Sequence, residues 1–90
     1  PPVAEIHSVC RAHLADLYGF YGEEKGLRIA RKHIAWYTRG LVGAAAFRSH
    51  MNLQETVEGQ VAAVDEFYHR MAARNSRLCY QEEFPEELAA

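Results

Sequence analysis

Ninety residues with a net charge of −2 make one small domain, 49% apolar and 24% charged, as in an ordinary globular protein with a modest core. No apolar run approaches the roughly 20 residues of a membrane-spanning helix. The start, Pro1-Pro2-Val3-Ala4-Glu5, has neither the basic nor the apolar region of a signal peptide.

Gly and Pro punctuate the chain into four segments. The first, from about Val3 to Phe20, places Ile6, Val9, Cys10, Leu14, Leu17 and Tyr21 at the spacings of three and four that mark a helix. The second, from about Glu23 to Arg39, keeps that rhythm with Leu27, Ala30, Ile34, Tyr37 and Leu41, and Gly40 is placed to stop it. A third, short segment spans roughly Ala44 to His50. The fourth runs from about Leu53 to Ala73, with Asn52 as the expected N-cap, Glu55 as its carboxylate partner, and Val57, Val61, Val64, Tyr68 and Met71 as the apolar stripe. No stretch alternates with period two, so no strand is expected. The predicted fold class is all-α: a small, mostly antiparallel bundle of three long helices and one short helix, over residues 1–73. Residues 74–90, rich in Glu, read as a loose, flexible acidic tail that Tyr80 and Phe84 could still hold to the body.

Charge is sorted along this chain. Between Lys25 and Gln54 stand six Lys or Arg and no Asp or Glu, in a protein that is acidic overall. Each helical residue advances about 100°, which sets the apolar stripe of the second segment on one face and Lys25, Arg28, Arg31, Lys32 and Arg39 on another. Trp36 and Ile29 border that basic arc. Like charges four apart, such as Arg28 and Lys32, repel by a few tenths of a kcal/mol. A polyanion would relieve that repulsion: Arg grips phosphate bidentately, Lys meets it as a point charge, and an indole beside the arc can pack on a base. Two other readings stand beside this one. The arc is simply solvated, or it pairs with acidic groups such as Glu55, Glu58, Asp65 and Glu66, or with an acidic partner protein.

Signals for chemistry are absent. His7, Cys10 and His13 spread over about 120° of a helix and do not converge on one ion. Gly22 and Gly26 follow no strand and form no phosphate loop. Glu23 and Glu24 suit the positive end of a helix dipole. Neither a catalytic centre, a metal site nor a cofactor site is expected, and no membrane partner. Cys10 and Cys79 read as free thiols of a reducing, cytoplasmic compartment. A first residue other than Met suggests a chain processed or cut from a longer one.

The run from Tyr21-Gly22 through Gly26-Leu27-Arg28-Ile29-Ala30-Arg31-Lys32-His33 to Trp36-Tyr37, followed by Gly40-Leu41-Val42-Gly43-Ala44 and then Arg48, resembles the C-terminal helical domain of bacterial tRNA-dihydrouridine synthases, the B-type subfamily above all. The resemblance covers about residues 3–73. It implies a parent oxidoreductase with a (β/α)8 barrel that carries flavin mononucleotide, is re-reduced by NADPH and converts a tRNA uridine to dihydrouridine. The helical domain would help clasp the tRNA. It would do so through Lys25, Arg28, Arg31, Lys32, His33, Trp36, Arg39 and Arg48, some of which could instead dock on the enzyme's own barrel. Cys10 and Cys79 do not correspond to the family's catalytic cysteine, so the chain alone is expected to be inactive. Val42 stands where the family often has Pro, and the tail lies outside the resemblance.

Overall fold

A computed structural model describes residues 2–74. It contains four helices: α1 (Val3–Tyr21), α2 (Glu23–Thr38), α3 (Ala44–Met51) and α4 (Val57–Arg74). No strand occurs among the described residues, where Pro2 and Leu41 are isolated bridge positions. No described helix is long and apolar enough to cross a membrane. The expected tail, with Cys79, Tyr80 and Phe84, lies outside the described residues except for Arg74, which ends α4.

One residue separates α1 from α2. Gly22, at φ 86°, closes the first helix by donating its N–H to Tyr18 O at 2.9 Å, and its own carbonyl accepts from Gly26 N at 2.8 Å. Only glycine takes that backbone conformation without steric cost. The chain therefore doubles back at once: Gly26 lies against Leu17 and Tyr18, and Tyr37 against His13. A Cβ on Gly26 would sit 3.0 Å from Leu17 O and 3.1 Å from Tyr18 Cα, so the absent side chain sets how closely the two helices approach. α4 also runs antiparallel to α1, with Asp65 at His7 and Gln60 at Tyr18.

The core is continuous through the four helices. Cys10, Leu14 and Leu17 meet Ala30 and Ile34, then Leu41, Phe47 and Met51, then Val64, Phe67, Tyr68 and Met71. Fully burying a side chain the size of Ile34 contributes about 1.5–3 kcal/mol.

Several expected boundaries and faces are corrected. α4 begins at Val57, not near Leu53: Asn52 closes α3, its N–H donating to Arg48 O at 2.8 Å, and Thr56 Oγ1 accepts from Gly59 N at 3.0 Å as the real N-cap. Asn52 was available for either end, and the length of α3 decided. α2 ends at Thr38, whose buried hydroxyl donates to Ile34 O at 2.9 Å; Arg39 has left the helix with ψ 130°. Val9 is exposed because it lies well to one side of the seam through Val3, Cys10, Leu14 and Leu17, and Tyr21 is exposed because it stands in the last turn, where the chain reverses. On α4 the buried face is rotated toward Gln60, Ala63 and Phe67, leaving Val57 and Val61 half-buried. The rotation arises because α4 covers α1 and α2 on one side and α3 on the other, where Phe67 stacks on Phe47 at 4.5 Å.

Candidate functional site

α2 carries the basic arc. Lys25, Arg28, Lys32 and Arg39 are exposed, as is Trp36, with 64% of its surface in solvent. The opposite face of the same helix, Leu27, Ala30 and Ile34, is buried in the bundle. Separation of the two faces is what lets one helix hold the core and present charge outward.

The anticipated residues do not all stand alike. Arg31 is half-buried; its guanidinium donates to Gln54 O at 3.1 Å, tying α2 to the α3–α4 connection, while its Nε has no hydrogen-bond partner among the described residues. Arg39 belongs to the turn after α2. Arg48 is half-buried on α3, and no hydrogen bond or ring contact among the described residues joins it to the arc. Lys25 lies 5.5 Å from the centre of the Tyr21 ring, a cation–π contact that holds the ammonium at the α1–α2 corner. Phe20, packed edge-to-face on Tyr21 at 4.8 Å, is 81% exposed at the same corner.

His33 links the arc to an aromatic row that the sequence did not disclose. His33 meets the Trp36 ring edge-on at 6.0 Å and His13 of α1 at 4.7 Å; His13 Nδ1 is in turn hydrogen-bonded to Tyr37 Oη at 3.1 Å. The four-residue spacing from His33 to Tyr37 places both on one side of α2, but only the antiparallel return of the chain brings His13 to them. Tyr37, assigned above to the apolar stripe, is half-buried with its hydroxyl in this row. Burial first, and the nearby Cys10 sulfur second, push the Tyr37 hydroxyl up, so it remains protonated and able to donate at neutral pH.

The acidic residues of α4 are not used on the arc. Asp65 accepts from His7 Nε2 at 2.6 Å and from Arg11 at 3.2 Å, joining α4 to α1; these are the ion pairs among the described residues. Thus Lys25, Arg28, Lys32 and Arg39 have no acidic partner within ion-pair distance among those residues. His7, Cys10 and His13 diverge, the first toward Asp65, the third toward Tyr37, with Cys10 wholly buried between them. No group of three potential metal ligands gathers among the described residues.

A cleft of about 530 Å³ lies between α3 and α4, with no residue of α2 in its lining. Phe47, Ala63, Phe67 and Met71 form its floor, and His50, Glu66, Arg70 and Arg74 its rim. All four polar side chains are exposed, and none is buried and aimed inward as a flavin ring would need for its polar edge. The lining of this cleft therefore does not fit a flavin.

Comparison with known proteins agrees with the motif on α2. Residues 1–73 match the family model described as dihydrouridine synthase (Dus). The chain is 46% identical over 67 residues to tRNA-dihydrouridine synthase B of Pseudomonas aeruginosa, which covers 74% of this chain and 20% of that protein. It is 38% identical over 72 residues to tRNA-dihydrouridine synthase B of Vibrio cholerae, covering 80% and 22%. It is 32% identical over 84 residues to that of Serratia marcescens, covering 91% and 25%. The chain thus spans about a fifth to a quarter of the length of the curated relatives it matches. No solved structure matches it.

Proposed function

Because this chain belongs to the dihydrouridine synthase family, we propose that it is the tRNA-engaging helical part of such an enzyme, presenting substrate to a flavin-bearing barrel. The observation that carries the reading is the arc on α2: four exposed cations without acidic partners among the described residues, beside an exposed indole. Such an arc meets a phosphate backbone, releases its counterions and gains affinity that falls as salt rises. Trp36, exposed on the border of the arc and held edge-to-face against His33, offers an indole on which an unpaired base can stack. The reaction itself, reduction of a tRNA uridine with hydride from reduced flavin mononucleotide replenished by NADPH, belongs in this reading to the barrel. The chain's own contribution is to bind and orient the RNA, and its working compartment is the cytoplasm, where tRNA is handled.

Titration of the chain with bulk tRNA at about 50 and 200 mM salt tests this. Weak binding that declines with salt is expected. Replacing Arg28 and Lys32 with Ala should weaken binding and lower the magnitude of the log–log salt slope by about two. Binding that ignores salt, or a double variant that binds like the parent, would overturn the phosphate-contact account.

The exposed Phe20 favours a second use of the corner between α1 and α2, as a docking point on the enzyme's own barrel or another acidic protein surface. Co-purification with a separately expressed barrel, lost on Phe20→Ala and kept on Trp36→Ala, distinguishes that surface from the RNA-facing one.

A further inference from the structure

Trp36 is the chain's one tryptophan, and 64% of its surface is in solvent. An indole so exposed turns among several rotamers unless something holds it, and a ligand that stacks on a loose ring must first order it. The ring that Trp36 meets among the described residues is His33, one turn earlier on α2, at 6.0 Å and 69°. That contact is local. A long helical side chain leans over the turn N-terminal to its own Cα, so position 36 comes to lie against position 33.

The support of His33 itself is not local. Its half-buried ring packs edge-to-face on His13 of α1, at 4.7 Å and 73°. His13 is in turn held from a second side: the Tyr37 ring stands edge-on to it at 5.9 Å, and Tyr37 Oη lies 3.1 Å from His13 Nδ1. The Tyr37 hydroxyl, kept protonated by burial first and the Cys10 sulfur second, donates to that nitrogen, which sets the proton of the neutral imidazole on Nε2. The helix α2 thus supplies Trp36, His33 and Tyr37, and α1 inserts His13 between the last two. None of Lys25, Arg28, Lys32 or Arg39 has a hydrogen bond or ring contact with this row among the described residues. The row can therefore be altered without disturbing the cations of the arc.

Resting on the RNA reading above, we propose that His13 is a positioning residue for RNA binding: through His33 it holds the Trp36 indole in the orientation in which an unpaired base stacks on it. His13 touches neither phosphate nor base. It raises affinity by preorganisation, because an indole already held loses less freedom when a base settles on it. The tight return of the chain at Gly22 then serves the basic helix as well as the core, since it is what brings His13 to His33.

Two measurements on the full chain test this. Trp36 is the sole source of tryptophan fluorescence, so the anisotropy decay of the RNA-free chain reports that side chain alone. The fast, local component of the decay should grow in His13→Ala and stay near the parent's in His13→Phe, which keeps a ring against His33. In titration with bulk tRNA, Trp36→Ala should weaken binding about tenfold, as for the loss of one stacked base, and His13→Ala about threefold, with the log–log salt slope unchanged in both. The loss from His13→Ala should vanish in the Trp36→Ala background, because the two act through one side chain, and His13→Phe should recover most of the affinity. A merely destabilised fold would weaken binding in both backgrounds alike. Three results would overturn the proposal: an equal loss from His13→Ala with and without Trp36, a smaller salt slope in His13→Ala, or an indole as restrained in His13→Ala as in the parent. The RNA reading fails by a different result, an Arg28 and Lys32 double variant that binds like the parent.

Discussion

Gly26 and Gly19 are both helical glycines, and their surroundings oppose each other. At Gly19 nothing lies within 4 Å of where a Cβ would be, whereas at Gly26 the backbone of α1 is in the way. Gly19→Ala should therefore raise unfolding stability by about 0.5–1 kcal/mol, the ordinary helix-propensity gain. Gly26→Ala has the same gain available but forces α1 and α2 apart, and overpacking of about 1–3 kcal/mol outweighs it. Urea unfolding of the two variants should move the midpoint in opposite directions. Cys10 gives a second test at this scale. Its thiol rises from an ordinary 9.0 to about 12, chiefly by burial, and the Tyr18 hydroxyl rises from 10.0 to about 12 for the same reason, with Cys10 second. Both folded values exceed the unfolded ones, so the folded state holds more protons between about pH 9 and 12. The stability these groups contribute is fully present below pH 9 and is lost as pH rises toward 12. Denaturation midpoints should fall across that window, and Cys10→Ala, though less stable at pH 7, should show a shallower fall.

At the scale of the element, α2 divides its surface between a buried stripe and a charged arc, and the arc works against the helix. Arg28 and Lys32 stand one turn apart with no intervening acid. Lys32→Glu replaces repulsion by attraction within the helix and should stabilise the fold by a few tenths of a kcal/mol. The same change should weaken tRNA binding. A variant that melts higher and binds less well would show that the charge pattern serves a ligand rather than the fold; unaltered RNA affinity would remove Lys32 from the interface. Arg31 differs from its neighbours because its guanidinium holds the Gln54 carbonyl. Arg31→Ala is expected to lower stability as well as binding, and so cannot by itself report on RNA contact. Measuring thermal unfolding beside the titration separates the two effects.

For the molecule as a whole, one buried amide ties its own helix to the other three. Gln60 of α4, wholly buried, accepts from the Tyr18 hydroxyl of α1, donates to Leu27 O of α2 at 3.2 Å, and lies 4.0 Å from Met51 Sδ of α3. Buried polar groups that lose their partners cost more than the bond itself contributes. Gln60→Leu keeps the volume and removes both bonds, so the urea midpoint should drop by the equivalent of about 1–2 kcal/mol with the slope unchanged. The position of α4 is thereby fixed relative to α1 and α2 together, which in turn fixes the α3–α4 cleft.

Much of this was legible in the sequence because it is local. Spacings of three and four identify the three long helices, Gly40 the end of the second, and the run through Arg28, Arg31, Lys32 and Trp36 both the basic arc and the family. Helical periodicity and glycine stereochemistry act within a few residues, so the chain states them directly. What the tertiary structure decided involves residues far apart. It chose Thr56 over Asn52 as the cap of α4, turned that helix toward Phe67, made Gln60 a core residue, withdrew Asp65 from the basic arc to His7 and Arg11, and set His13 beside His33 and Tyr37. Each of those outcomes depends on which neighbour covers which face, and the energy that selects it, burial of apolar area and satisfaction of buried polar groups, exists only once the helices are in contact.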